Sequence, residues 1–350
     1  MNFRETLRIS HSAITDFDNC ARLYYFRNIY RHPQTGNRIQ IANPYLSLGS
    51  AVHSVIDEIV NLPPSQRRKK SLLKTFEQKW PAYQGKRGGF FSHQQEEEFK
   101  KRGLKMMKVF QKSALLLKKS LKKGKDPLKM ELLAGVALVG SWDWIEVLPD
   151  NSLHIIDFKT SQNKEKDKSL QLPIYNILVR QHYPQRVRKT SYWYLEKDSK
   201  PISKKIENSK TVLLKITEKA KEIKKAVEGS NFSCRSFYRS CFWCQKYGKI
   251  LSGGAEFIET DQEMKKDIYY LSNGKEIIRK IYDEEFLNQK EKNILKMKIE
   301  NRSTKELCDL LEMTKQQIEG VIFEIKKKIK DNLSAQELKI FIEELVKNGK

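Results

Sequence analysis

The sequence has no long hydrophobic run. Its longest uncharged apolar stretch, Leu132 to Gly140, is far shorter than the roughly 20 residues that a membrane helix needs. The amino-terminal residues MNFRETLRISHS contain no apolar segment of the kind found in secretory leaders. We therefore expect a protein that neither spans a membrane nor is secreted, and that works in the cytoplasm.

Cysteine is scarce, and the five cysteines are an odd number. Cys234, Cys241 and Cys244 lie close together and Cys20 lies far upstream, which is not the spacing of a disulfide framework. Four thiolates can hold zinc or an iron–sulfur cluster. The alternative is a set of buried free thiols, the interpretation that we also give to Cys308.

Acidic residues are too few to balance the basic ones. The chain has 67 Lys and Arg against 43 Asp and Glu, a net charge of +24, and residues 61–130 alone carry 20 basic and 5 acidic side chains. This excess suits a polyanionic partner, nucleic acid first and an anionic membrane second. A lysine-rich solubilising surface is the alternative. With 39% hydrophobic residues, the chain is not expected to be disordered.

The first half of the sequence has helical periodicity. The pattern predicts a helix from about Ile9 to Phe26 capped by Ser12 or Thr15, then a loop at Asn43-Pro44. It predicts a second helix from Leu48 to the Pro63-Pro64 pair. Residues 65–130 are rich in lysine and helical in pattern, with a break at 85–89.

The period then changes to that of strands. Residues 131–147 and 152–159 are β-branched and apolar, with a turn at 149–151, which predicts a hairpin. Predicted helices at 170–182 and 210–227 flank a predicted strand at 191–196. The order predicts an α/β layered domain over 1–250, a linker over 251–282 with a small hairpin at 272–274, and an all-α region over 283–350.

Two carboxylates and a lysine are placed together by this pattern. Asp143 lies in one predicted apolar strand, and Asp157 and Lys159 lie on the same face of the next strand because side chains alternate. Such a grouping is costly unless a divalent cation is bound, and the cation could polarise a phosphodiester and activate water. Gln171 and Tyr175 lie one helical turn apart, on one face. Taken singly, each residue has an ordinary structural explanation, such as a cross-strand charge pair or a core tyrosine.

In this order and spacing, the motifs Gly49-x-x-x-His53, Gly140-x-x-Asp143, Asp157-x-Lys159 and Gln171-x-x-x-Tyr175 resemble the PD-(D/E)XK nuclease superfamily. They resemble most its RecB-like branch, which includes the AddB nuclease domain and CRISPR adaptation nucleases. The resemblance covers about residues 9–250. It implies a restriction-endonuclease-like core, in which a central mixed sheet is flanked by helices. Residues 61–130 would then form a basic helical insert, interpreted as a lid that guides a strand to the site.

The resemblance also implies a role for each motif residue. Mg²⁺ or Mn²⁺ would be bound by His53, Asp143, Asp157 and the Phe158 carbonyl. Lys159 would be the catalytic lysine, and Gln171 and Tyr175 would orient the site or the strand.

The same branch often carries a [4Fe–4S] cluster, held by one cysteine after the first helix and three near the end of the domain. Cys20 matches the first, and Cys241 and Cys244 match the C-x-x-C pair. The third cysteine of the family pattern is absent near residues 248–250, and Cys234 would replace it. The open alternatives are zinc and no metal.

The carboxy-terminal region has three helix starts with capping boxes, at Asn288, Ser303 and Thr314. The second and third helices resemble the helix-turn-helix of sigma-factor region 4 and LuxR-type regulators. That resemblance implies duplex DNA contacts from Lys315, Gln316, Gln317 and Glu319. A plain helical bundle used for packing or dimerisation is the alternative, and residues 335–346 predict a final amphipathic helix.

These observations predict a metal-dependent DNA nuclease, an exonuclease on single-stranded ends rather than an endonuclease, in repair, recombination or CRISPR adaptation and defence. The alternatives are a catalytically silent DNA-binding or assembly protein and an RNA-processing nuclease. No Walker-type loop is present, so a helicase or a CRISPR adaptation complex would be a separate partner.

Overall fold

A computed structural model describes residues 6–234, 236, 241–272, 274–300 and 302–348. The chain begins with strand β1 (Leu7–Ile9), helices α1 (His11–Asn19) and α2 (Ala21–Tyr24), a π-helical turn (Tyr25–Ile29) and strand β2 (Arg38–Ile41). The predicted single helix over 9–26 is therefore wrong at its start, because Ile9 pairs with Leu138 in a parallel ladder. Ser10, rather than Ser12 or Thr15, caps α1 by accepting the Ala13 N–H.

The second predicted helix is confirmed but is longer than expected. Helix α3 (Pro44–Val60) begins at Pro44, since the Asn43 side chain caps it and proline suits the first helical position. The lysine-rich segment that follows is helical up to residue 117. It comprises α4 (Pro64–Arg67), α5 (Leu72–Lys79), 3₁₀ turns at Trp80–Tyr83 and Gly85–Gly88, α6 (His93–Gln111) and a 3₁₀ turn at Ala114–Leu117. Residues 128–130, predicted as helix, belong to a strand instead.

The middle of the chain supplies the main strands. They are β3 (Leu128–Leu133), β4 (Val136–Gly140), β5 (Trp144–Val147), β6 (Leu153–Lys159), β7 (Val187–Tyr194) and β8 (Ile202–Lys204), with helices α7 (Gln171–His182) and α8 (Ser209–Glu228). The β5–β6 hairpin around 149–151 is confirmed. The predicted strand over 131–147 is divided, because Gly135 makes a turn at φ 75° and the backbone leaves the strand after Gly140.

The strands of the described residues form three mixed sheets, whereas we predicted one central mixed sheet. Their orders are β1-β4-β3, β5-β6-β7-β8 and, with the strands β9 (Glu256–Asp261) and β10 (Lys266–Tyr270), β2-β10-β9. Strand β6 lies between antiparallel β5 and parallel β7 and is buried along its length apart from its last residue. This burial makes β6 a rigid support for Asp157.

The third sheet pairs an early strand of the sequence with a much later one. Strand β10 pairs in parallel with β2, and its Asp267 is fully buried. The Asp267 carboxylate accepts hydrogen bonds from Thr35, from Asn37 at 2.9 Å and from Thr260 at 2.8 Å. These bonds outweigh burial and lower the pKa of Asp267. The hairpin predicted at 272–274 is wrong, since helix α10 (Gly274–Asp283) begins there, and Asn273 lies outside the described residues.

The rest of the chain is helical, as predicted from residue 283 onward. After α9 (Gln245–Leu251) and α10 come α11 (Gln289–Ile299), α12 (Thr304–Leu311), α13 (Lys315–Asn332) and α14 (Ala335–Asn348). All three predicted capping boxes are present. A separate apolar core holds these helices together.

Ion pairs attach strand β9 and helix α14 to the turn that precedes α6. Lys86 lies 2.8 Å from Glu256 and 3.9 Å from the buried Glu337, which also pairs with Lys280 at 3.2 Å. Arg87 pairs with Glu259 at 2.6 Å. The break at 85–89 is therefore a contact point between the two parts of the chain.

None of the helices that the structure describes is long and apolar enough to cross a membrane.

We predict that Gly103→Ala destabilises the protein by about 1–3 kcal/mol, because the site is already filled. A Cβ at Gly103 would lie 2.2 Å from Cζ of the fully buried Phe76, where α6 crosses α5. Gly320→Ala is the matched control, since no atom lies within 4 Å of its Cβ position on α13. This control should stabilise its helix by up to about 1 kcal/mol. Scanning calorimetry of both variants makes the comparison, and an unchanged Gly103→Ala transition would contradict the packing argument.

Candidate active site

Strand β6 carries Asp157 and Lys159, which were predicted to lie on one face of the strand. The Lys159 ammonium lies 3.1 Å from Oδ2 of Asp157. Asp157 is almost completely buried, whereas Lys159, at the strand end, is partly accessible. The predicted proximity of these residues is therefore present in the structure.

His53 and Asp143 form a second pair beside the first. His53 lies on α3 and its Nδ1 is 3.1 Å from Oδ1 of Asp143, which follows β4. The other carboxylate oxygen of Asp143 accepts the Phe158 N–H at 2.9 Å. This bond fixes Asp143 against β6, one residue from Asp157. The Phe158 side chain is buried in the core below.

Gln171 connects the groups through both ends of its amide. Its Nε2 donates to Oδ1 of Asp157 at 2.9 Å and to the Tyr175 hydroxyl at 3.2 Å. Its Oε1 accepts a short hydrogen bond from the Lys159 ammonium. Gln171 and Tyr175 begin α7 and share a face, as their spacing predicted.

Gly140 allows α7 to approach β4 this closely. A Cβ at Gly140 would lie 2.9 Å from Cδ1 of Leu178 and 3.2 Å from Cε1 of Tyr175. Any larger residue would have to displace the side chain of Leu178 or of Tyr175. Packing thus explains the glycine of the Gly140-x-x-Asp143 motif.

Glu165, which no sequence motif predicted, belongs to the same site. Its Oε2 lies 3.3 Å from the Lys159 ammonium. The loop that carries it is held by a hydrogen bond from the Glu165 N–H to the Tyr194 hydroxyl at 2.7 Å. The Lys159 ammonium also lies 5.1 Å from the ring centre of Tyr192. The loop has no hydrophobic period, so only the short distance to Lys159 in sequence could have indicated Glu165.

The electrostatics of the site favour a bound cation. Burial, and then the nearby charge of Asp143, raise the pKa of Asp157 to about 7. Burial opposes the charged forms of His53 and Asp143, but their mutual attraction outweighs it. The pKa of His53 rises to about 9 and that of Asp143 falls. The negative charge of Asp143 raises the proton affinity of Asp157, and a divalent cation bound by both carboxylates would relieve this repulsion.

The donor types also fit a hard divalent ion. One imidazole, two carboxylates and a main-chain carbonyl are ligands that Mg²⁺ and Mn²⁺ accept. Oδ2 of the buried Asp157 carboxylate has the Lys159 ammonium 3.1 Å away but accepts no well-aligned hydrogen bond, so it is the oxygen of this carboxylate left for a cation. The residues present therefore fit the ion that the motifs imply.

The four predicted cysteines come together at a second centre. Sulfur atoms of Cys20, Cys234, Cys241 and Cys244 all lie within 4.8 Å of one another. Cys20 is fully buried at the junction of α1 and α2, next to Leu23 and Phe26. Burial opposes the Cys234 thiolate, but main-chain N–H groups outweigh it and lower the pKa of Cys234 to about 6. Burial, and then the neighbouring thiols, raise the pKa of Cys244 to about 12, so the group without a metal favours one thiolate only. Four sulfur atoms at these distances suit a metal ion or an iron–sulfur cluster.

The predicted DNA-contacting residues of the carboxy-terminal region lie apart from this site. Lys315, Gln316, Gln317 and Glu319 are exposed in the first turns of α13. Lys315 and Glu319 form an ion pair at 3.8 Å. The turn before α13 has no glycine because Glu312 itself adopts the left-handed conformation, with φ 51°. Cys308 is half-buried in α12 against the apolar core, as expected.

Comparison with known proteins identifies the family of the chain. A crystal structure of a protein provisionally described as an exonuclease, from Eubacterium rectale, is 16% identical with a TM-score of 0.43, and covers 69% of this chain and 88% of that one. No curated protein gives a significant match. The model of the PD-(D/E)XK nuclease superfamily matches residues 8–246, which include every residue of the site described above. The chain therefore belongs to the PD-(D/E)XK nuclease superfamily.

Proposed function

We propose that this protein is a metal-dependent DNA nuclease of the RecB-like branch, acting as an exonuclease on single-stranded ends. The observation that carries the proposal is the proximity of two pairs, His53–Asp143 and Asp157–Lys159, each at 3.1 Å. The hydrogen bond from the Phe158 N–H to Asp143 holds the first pair beside the second. Three separate elements, α3, the end of β4 and β6, supply these residues. The superfamily membership supports hydrolysis of phosphodiester bonds.

Mg²⁺ or Mn²⁺ bound by His53, Asp143, Asp157 and the Phe158 carbonyl would polarise the phosphodiester and supply activated water. Burial lowers the pKa of Lys159, but the negative charges of Asp157 and Glu165 have the larger effect and raise it. This side chain therefore stays an ammonium. It acts as a hydrogen-bond donor to the negative charge that develops on the phosphate, and not as a base. Gln171 holds Asp157 and Lys159 at a fixed separation through its two ends. Burial raises the pKa of Tyr175, which remains a neutral phenol.

We also propose roles for the other regions. The cysteine group holds a [4Fe–4S] cluster that ties the first helices to residues 234–244 as a structural staple. Residues 1–250 form the nuclease domain with the basic helical insert at 61–130, 251–282 connect it, and 283–350 form a helix-turn-helix domain for duplex DNA. The exposed first turn of α13 supports the last assignment. The protein partner would be a helicase or a CRISPR adaptation complex, in repair, recombination or defence.

Labelled linear and circular single strands test the proposal directly. We expect purified protein with Mn²⁺ or Mg²⁺ to degrade the linear strand, and EDTA or a double Asp157→Ala, Lys159→Ala change to abolish this. A circular strand should survive if the enzyme needs an end, and its loss would identify an endonuclease. If both strands are bound but neither is cut, the protein is a silent binding or assembly factor.

A further inference from the structure

Tyr45 is an exposed aromatic residue beside the candidate active site. Its side chain is 64% exposed, although it lies in the first turn of α3, the helix that carries His53. The ring makes an edge contact with Phe99, with centres 5.1 Å apart, and the Arg102 guanidinium lies 5.8 Å from its centre. The nuclease chemistry proposed above uses none of these three residues.

Tyr45 lies on the same face of α3 as His53. Tyr45, Gly49 and His53 are spaced by four residues and so occupy one face of α3. That face lies against the end of β6, since a Cβ at Gly49 would be 3.4 Å from Oγ1 of Thr160, the residue after Lys159. Eight residues of helix span about 12 Å, which corresponds to about three to four stacked nucleotides.

The surroundings of Tyr45 are rigid and basic. Arg102 donates two hydrogen bonds of 2.8 Å to Glu196, which follows β7, so α6 is fixed to the sheet at this edge. Helix α6 also presents an exposed row of lysines at helical spacing, namely Lys101, Lys105, Lys108 and Lys112. The positive charge of Lys105 acts on Glu196, the partner of Arg102, so this row lies near the arginine that contacts Tyr45. An accessible aromatic ring with an arginine and lysines nearby has the chemistry of a site for single-stranded nucleic acid.

We propose that Tyr45 is a stacking platform for a base of the substrate strand, about three to four nucleotides from the scissile phosphate. This inference deepens the proposed function, on which its position relative to the cut rests. A base offers its face to Tyr45 only when it is unpaired, so the platform selects single strands over duplex. Arg102 and Phe99 are positioning residues that hold the ring.

Binding of fluorescein-labelled oligothymidylate to the full-length protein in EDTA tests the platform without cleavage. We expect Tyr45→Ala to weaken single-strand binding about tenfold, the typical loss of one base–aromatic contact. Tyr45→Trp should bind like the parent protein. The matched control is Phe257→Ala, which removes a 52% exposed aromatic residue on β9 and should change binding less than about twofold. Binding of a blunt duplex should be equal for all variants.

A single abasic nucleotide moved along the oligonucleotide then locates the contact. The parent protein should lose affinity at one position, and Tyr45→Ala should lose this position dependence. Equal binding by Tyr45→Ala and parent, or no single-strand binding by the parent, would overturn the platform. Cleavage with Mn²⁺ is measured separately: a parent that shows the Tyr45 effect but does not cut refutes the nuclease proposal alone, and a cutting enzyme without the effect refutes the platform alone.

Discussion

Replacing Lys159 with Met will reduce the rate of single-strand cleavage about 10³-fold, the typical loss when a positioned charged donor is removed from a developing charge. Lys159 is the donor in contact with both Asp157 and Gln171, at the accessible end of β6. Its removal takes one positive charge from beside the buried Asp157 carboxylate, so it should not weaken metal binding. We therefore expect the loss in kcat, with the Mn²⁺ dependence of the residual activity unchanged or shifted to lower concentration.

Two other variants separate this chemistry from general charge effects. Lys164→Met removes an exposed lysine from the loop after β6, next to Glu165 in sequence, and should keep activity within about threefold, as is usual for a surface substitution. Asp157→Asn should instead weaken metal binding, which titration calorimetry with Mn²⁺ measures. If Lys159→Met retained near-normal kcat, another group would stabilise the phosphate and the assigned role of Lys159 would be wrong.

Replacing Cys244 with Ser should abolish binding of the metal or cluster proposed for the four cysteines and destabilise the amino-terminal helices. Cys244 is 1% exposed, and its sulfur lies 3.6 Å from that of Cys234 and 3.7 Å from that of Cys241. A structural four-thiolate centre contributes about 10 kcal/mol or more to folding, so the loss of one ligand should lower the unfolding temperature by more than about 10 °C. When both proteins are prepared without oxygen, the parent should show the visible absorption typical of iron–sulfur proteins, and Cys244→Ser should lack it.

The matched control is Cys308→Ser, a change of the same residue type in α12, outside the cluster. It should keep the visible spectrum and the metal content, and its unfolding temperature should fall by only a few degrees, as for a half-buried core residue. Metal analysis of the parent protein distinguishes iron from zinc. Parent protein without either metal, together with equal behaviour of the two variants, would mean that the cysteines are ordinary buried thiols.

The sequence predicted features that are encoded by neighbouring residues. Each capping box follows from a cap residue and a Glu or Gln three positions later, and all three form. Asp157 and Lys159 share a strand face for the equally local reason that side chains alternate. The nuclease motifs could be found because their residues recur at short, fixed distances along the chain.

Features that depend on distant partners could not be predicted in this way. Strand β1 has three residues, and its Ile9 has the spacing of the following helix, but pairing with Leu138 makes it a strand. Strand β2 likewise exists because β10 pairs with it. Glu165 joins the site through the path of an aperiodic loop, and Tyr45 is notable only because the fold leaves it exposed. Tertiary contacts override local preference in each case.

The buried Asp267 has a consequence for how the protein is made. Its partner Thr35 precedes it by 232 positions, so at 5–20 residues per second the ribosome needs about 12–46 s between the two. During that interval β2 has an unpaired edge, and the donors of Thr35 and Asn37 have no carboxylate to bind. The nascent chain is then open to pairing with other strands. The β2-β10-β9 sheet can form only after β10 has been synthesised. A chaperone would therefore matter most while the residues between β2 and β10 are being translated.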